Sequence, residues 1–277
     1  MTATVLARNE WIKTTRRFAF WVTLLCLGGL TAVMVMDRRL SGLSRESVPL
    51  FQLPDGWSYI VSEPGPLPGM FAAVLMILLV ASEFSWRTAR QNVIDGLSRE
   101  QFYAGKTILL PAVSLAVLVL VVGLGAGVAL WGTDLAALSD PVVGGTDLAL
   151  LGGAALSVLG MGAMGLLLAA TVRSGGPAIA LLFLYMSFGE RILAQVVIRF
   201  LPAAGPLMPY RPFELFMTMT ESQHYYPAAQ EAAIASALEH GRQAPAFLDP
   251  GVMAATAGGW IALFLLVGFL TFRKRDL

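Results

Sequence analysis

Residues 68–84 (PGMFAAVLMILLVASEF), 85–106 (SWRTARQNVIDGLSREQFYAGK) and 107–131 (TILLPAVSLAVLVLVVGLGAGVALW) decide the fold. Two apolar runs, near the ~20 residues that a helix needs to cross a hydrocarbon core, flank a short charged segment with a glycine inside it. In lipid, the backbone N–H and C=O groups of such runs can be satisfied only within a helix or a closed barrel. Working outward, comparable runs recur at 18–36, 148–171, 178–198 and 251–272. The expectation is an all-α membrane protein with six transmembrane helices in a single domain, 1–277, with both termini on one side.

Composition agrees. Apolar residues make up 56% of the chain and charged residues 13%, with a mean hydropathy of +0.70. A soluble domain carries roughly 25% charged residues, so this chain cannot cover its surface with charge. Nothing in it points to a nucleic-acid partner. Orientation follows from Lys and Arg. Arg8, Lys13, Arg16, Arg17, Arg87, Arg90, Arg99, Lys106, Arg173, Arg273, Lys274 and Arg275, 12 of the 19 basic residues, fall on one side of the six crossings. That excess marks the cytoplasmic face. The termini are expected to be cytoplasmic, and the Ala-, Gly- and Leu-rich composition fits the inner membrane of a high-GC bacterium. Cys26, the only cysteine, lies in the first run, so no disulfide forms within the chain. That run is too long for a signal h-region and lacks a small-residue cleavage site, so it reads as a retained span.

Residues 1–17 alternate at helical spacing. Ala7, Trp11, Thr15 and Phe18 share one face, and Asn9, Glu10, Lys13, Arg16 and Arg17 the other, with Leu6 and Arg8 breaking the pattern. This suggests an interfacial helix, with Trp11 at headgroup depth and Lys13, Arg16 and Arg17 in water or on anionic lipid. The plainer reading is a basic tail that only sets topology. Residues 37–67 read as an irregular outer loop. The long outer stretch, 199–250, opens with Pro202, Pro206, Pro209 and Pro212, which forbid one long helix. Residues 227–240 then read as a short helix with Pro227 near its start and Gly241 past its end. An outer cap of short or re-entrant helices is expected there. Recurrent Gly123, Gly125, Gly127, Gly153, Ser157, Gly160, Gly162 and Gly165 allow helices to approach closely.

The segment 85–106 is expected to form a cytoplasmic helical hairpin. The second span continues as helix to about Asp95, Gly96 ends it, and Ser98 with Gln101 forms a capping box that restarts helix toward Lys106. Leu97 and Phe102 are then the exposed apolar residues suited to insert into a partner. The plainer reading is a cationic connector without one. Gly105-Lys106-Thr107 mimics the end of a P-loop, but Glu100 stands where the first glycine belongs, and Lys106 reads as an interfacial anchor instead. His224 and His240 have no cysteine nearby and make no metal site, and no span pairs a nucleophile with a base. The methionines read as packing. No cofactor is expected on this chain.

Glu190-Arg191 is the one charged pair inside an expected span, about 18 Å along a helix from Ala178. Two readings stand. Either the pair lines or gates a translocation path, or the helix ends early and the pair sits at the outer mouth beside a re-entrant turn.

Glu83, Arg87-Thr88-x-Arg90, Gly96-Leu97-Ser98-Arg99-x-x-Phe102 and Gly105-Lys106 together resemble the loop between the second and third spans of six-span ABC-type exporter permeases. Ala7-Arg8-Asn9-Glu10-Trp11-x-Lys13 with Arg16-Arg17, and the ending Phe272-Arg273-Lys274-Arg275-Asp276-Leu277, agree with that likeness. Members often have Pro before Ser-Arg where this chain has Gly96-Leu97. The resemblance implies a membrane subunit without an ATPase of its own. It would pair with a second permease copy, identical or related, and with two cytoplasmic nucleotide-binding subunits that hold ATP and Mg. It further implies that Arg87, Thr88, Arg90, Asp95, Gly96, Leu97, Ser98, Arg99 and Phe102 dock in a groove of the ATPase, while the N-terminal helix helps pass on its motion. The contrasting expectation is a membrane anchor or assembly factor that recruits a soluble partner and transports nothing.

Overall fold

The computed structural model describes residues 3–44, 51–85, 98–131, 133–134 and 142–274. In chain order come α1 (Ala3–Thr15), α2 (Phe18–Ser44), α3 (Trp57–Ser62), α4 (Leu67–Ser85), α5 (Arg99–Leu130) and α6 (Gly145–Val172). They are followed by α7 (Gly175–Leu184), α8 (Glu190–Phe200), α9 (Pro212–Thr218), α10 (Pro227–Glu239) and α11 (Pro250–Lys274). A π turn, Tyr185–Gly189, carries α7 into α8, and a 3-10 stretch, Pro202–Tyr210, leads on to α9. Among the described residues there is no strand. Six helices there are long and apolar enough to cross a membrane: α2, α4, α5, α6, the continuous α7–α8 and α11.

Local sequence explains several boundaries. The Ser98 side chain accepts from the Gln101 amide at 3.1 Å, and the Gln101 side chain accepts from the Ser98 amide at 3.0 Å, the reciprocal capping box expected there. Pro212 and Pro227 sit at the first turns of α9 and α10, where a missing N–H costs nothing. Gly241, at φ +65, ends the α10 region in the left-handed conformation. The first span runs well past its expected end. α2 extends past Met36 to Ser44 because its late charges find partners. Arg38 pairs with Glu63 at 3.3 Å and stacks on Tyr59, while Arg39 donates to the Val128 carbonyl at 2.6 Å. The fifth span runs through Glu190 to Phe200, close to the expected 178–198.

α4 and α6 form the centre of the bundle. In each, 61% of the most apolar window is buried, against 22% in α7–α8 and in α11. Gly165 makes this possible, since a Cβ there would stand 2.3 Å from the Ala73 carbonyl oxygen of α4. Gly160 likewise gives its space to the Phe216 ring of α9, and Ser157 donates to the Phe216 carbonyl at 2.6 Å.

The helices alternate in direction and gather their ends into two groups. At the first, Phe84 of α4, Phe102 of α5 and Phe272 of α11 make a ring cluster, with Phe102 and Phe272 stacked at 5.4 Å. Arg173, left-handed at φ 57 in the tight turn between α6 and α7, lays its guanidinium over Phe84 and Phe272. This is the basic end. At the opposite, cap end, α3, the Pro202–Tyr210 stretch, α9 and α10 cover the helix termini, tied down by Trp57 to the Val142 carbonyl and Trp260 to the Tyr210 carbonyl.

Candidate functional site

At the basic end α1 packs against the start of α5 and against α2. Leu6, Glu10 and Thr14, one helical turn apart, are its buried residues. Gly105 admits the contact, because a Cβ there would come within 3.3 Å of the Glu10 side chain. The face expected to be apolar is therefore not the face that docks. Trp11 is exposed, with its ring edge-on to Phe20 at 6.0 Å, and Arg16 is exposed as well.

Glu10 meets one charge from a distant part of the chain, Lys106, which in turn meets Glu83. Lys106, only 2% exposed, donates to Glu10 and, at 2.7 Å, to Glu83 near the end of α4. Its ammonium also lies 5.0 Å from the centre of the Phe102 ring. Arg17, in the link between α1 and α2, donates to the same Glu83 oxygen at 3.0 Å, and to the Leu79 carbonyl and the Ser82 hydroxyl. Lys13 closes the outer side of Glu10 at 3.1 Å. Charge-assisted bonds of this kind are about twice as strong as neutral ones, and they compensate charges that burial would otherwise penalise. Burial alone would push the Glu10 carboxyl up. The adjoining Lys106 and Lys13 charges and hydrogen bonds outweigh it and hold the group below its usual range.

This ionic knot joins α1, the α1–α2 link, the end of α4 and the start of α5. It contains no nucleophile–base pair, and among the described residues no group of His, Cys, Asp and Glu could hold a metal ion. Its effect is to tie α1 to the two helices that flank residues 86–97.

Several expected site residues are relocated by this arrangement. Lys106 is no interfacial anchor; its stem and ammonium are enclosed by the knot. Arg17 is not a lipid-facing cation but holds the end of α4, where the last carbonyls and the helix dipole favour a positive charge. Phe102 is 4% exposed and stacked on Phe272, so it is a core residue rather than one free to insert into a partner. Ser98 serves as the cap of α5, and Arg99 is half-buried in its first turn. Arg87, Thr88, Arg90, Asp95, Gly96 and Leu97 lie outside the described residues. Sequence patterns do not join Glu10, Glu83 and Lys106; the usable signal is the opposite charge of Glu83 and Lys106 near the facing ends of two successive spans.

Glu190 lies toward the cap end. Its carboxylate accepts from the Phe213 and Glu214 amides, each at 2.9 Å, and from the Tyr185 hydroxyl at 2.8 Å. It thus caps α9 from another helix, taking the first amides that α9 cannot satisfy itself. The π turn just before it shifts the helix face that aims it there. Arg191 is exposed. A cleft of ≈ 140 Å³ separates the two sides of this contact, lined by Met186, Glu190, Arg191, Phe213, Glu214 and neighbours.

No family model matches this chain, and no curated protein matches it.

Proposed function

We propose that the chain is the permease subunit of an ATP-driven exporter, working as a dimer in a bacterial cytoplasmic membrane with both termini inside. A separate nucleotide-binding subunit would hold ATP and Mg and dock on the 86–97 connection. The observation that supports this reading best is the Glu10–Lys106–Glu83 knot. A partner pressing on the connection between α4 and α5 needs those two helix ends to behave as one body, and the knot supplies that stiffness. It also recruits α1, so that the push reaches α2 through the Arg17 link. A rigid element docked on a moving subunit then biases the membrane helices between two arrangements. Through this route the ATPase would act on the bundle without any reactive group on this chain.

The test is gentle purification of the tagged chain from its own membrane, with quantification of whatever co-purifies. A stoichiometric P-loop protein with vanadate-sensitive ATPase activity is the expected result. If crosslinked membranes yield the chain without an ATPase, the permease reading fails and recruitment of some other partner takes its place. Given such an ATPase, Lys106→Met with Glu10→Gln and Glu83→Gln should leave the subunits associated but cut transport-coupled turnover by about tenfold or more.

A further inference from the structure

One cavity at the cap end has no part in the knot. It is a cleft of ≈ 630 Å³ between the 52–59 segment and the start of α10. That volume falls within the roughly 300–1,000 Å³ range of sites for small organic ligands. One wall presents Gln52, Asp55, Ser58 and Tyr59; the other presents Tyr226 and Ala229 above a floor of small side chains.

Both walls are held before any ligand arrives. Trp57, between Asp55 and Tyr59, is buried and donates to the Val142 carbonyl at 2.6 Å. The Leu53 amide donates to Thr133 at 3.0 Å. Opposite them, the Tyr226 hydroxyl donates to Asp147, which in turn accepts the Gly144 amide at the start of α6. A preformed cleft spares a ligand the cost of ordering loops.

Its electrostatics are one-sided. Asp55 is exposed to the cleft and is the only ionised group among its described lining residues. Arg38, the nearest described cation on this wall, is spent on Glu63 and on one face of Tyr59. Burial and the neighbouring Asp147 and Asp55 charges also push the Tyr226 phenol above its ordinary range, so it stays a neutral, hydrogen-bonding wall. Among the described lining residues an anion finds no cationic partner. A single carboxylate supplies far too few oxygens for calcium, which takes six to eight.

We propose that this cleft binds an organic monocation: an ammonium or quaternary nitrogen set against Asp55, with its apolar body lying along Tyr226 and the alanine floor. The carboxylate fixes the charge, the phenol ring adds cation–π attraction, and the Gln52 amide and Ser58 hydroxyl receive any polar substituent.

The probe is ethidium, whose fluorescence rises on leaving water, titrated into the full chain in nanodiscs of uncharged lipid. The expected result is saturable one-to-one binding that weakens with added salt and is displaced by tetraethylammonium but not by glucose. Asp55→Asn should weaken it about tenfold, and Ala229→Trp, which fills the cleft, should abolish it while the thermal transition stays as in the parent protein. Non-saturable partition into the disc, or equal affinity in the parent and both variants, overturns the proposal. Displacement by glucose as effective as by tetraethylammonium overturns the assignment of a cation. Binding is read on this chain alone, without ATPase or transport, so its outcome is separate from that of the permease reading.

Discussion

Lys106 sits between two carboxylates that come from helices on either side of it, and removing one member of such a set leaves the others charged and enclosed. Lys106→Ala should therefore cost about 3–5 kcal/mol, while replacing the set together by Lys106→Met, Glu10→Gln, Glu83→Gln and Arg17→Gln should recover most of that loss. Thermal unfolding in mild detergent, followed by tryptophan emission, distinguishes the two; an unchanged transition in Lys106→Ala would mean the knot contributes nothing to stability. The same site predicts a pH dependence. The Glu10 carboxyl is held below its ordinary value of 4.5 in the fold, so the fold favours its ionised form. That stabilisation is complete above the unfolded value and is lost as pH falls through the lower folded one. The difference in midpoint between parent and Glu10→Gln should stay constant from about pH 8 to 5.5 and shrink below about pH 4. A difference that grew on acidification would contradict the assigned direction.

Between elements, the closest contact is α4 against α6, and Gly165 is where the two backbones touch. Gly165→Leu should displace one helix and lower stability by several kcal/mol, in the manner of an overpacked core. Gly127→Leu on the outward face of α5, where a Cβ meets nothing within 4 Å, should be tolerated. Equal expression and melting of the two variants would show that the contact is looser than drawn. The α8–α9 joint offers a second test. Glu190→Ala removes the acceptor for the Phe213 and Glu214 amides, a loss of about 1–3 kcal/mol confined to α9. Hydrogen exchange at residues 213–214 should accelerate while exchange in α4 and α6 stays slow. If 213–214 remain protected, something other than Glu190 holds them.

For the whole molecule, large apolar residues remain exposed along α2 (Phe18, Leu25, Val33) and along α7–α8 (Phe188, Ile192, Phe200), far more than a monomer tolerates in water. Lipid is the environment that suits them. Six crossings place Lys274 and the α10 residue Glu239 on opposite faces of the membrane. In a Cys26→Ser background, an impermeant maleimide should label Glu239→Cys in spheroplasts and Lys274→Cys only after permeabilisation. Labelling of both from one side would break the six-span topology.

What the sequence by itself determined was local. Six apolar runs of membrane-spanning length gave six helices, because backbone groups in lipid have no partner but their own helix. Ser98 with Gln101 marked the start of α5, and Pro227 with Gly241 bracketed α10, because caps and proline act over three or four residues. What only the tertiary structure decided was which charges meet. Glu10 and Lys106 are 96 positions apart, and Glu190 reaches amides 23 and 24 positions on. Read alone, Lys106 looked like an anchor, Phe102 like a docking residue and Glu190 like a gate, since a charge or ring near a span end fits each of those roles. Burial and hydrogen bonding are properties of the packed bundle: α1 against α5 made Lys106 part of a joint, α11 made Phe102 a core contact and α9 made Glu190 a cap.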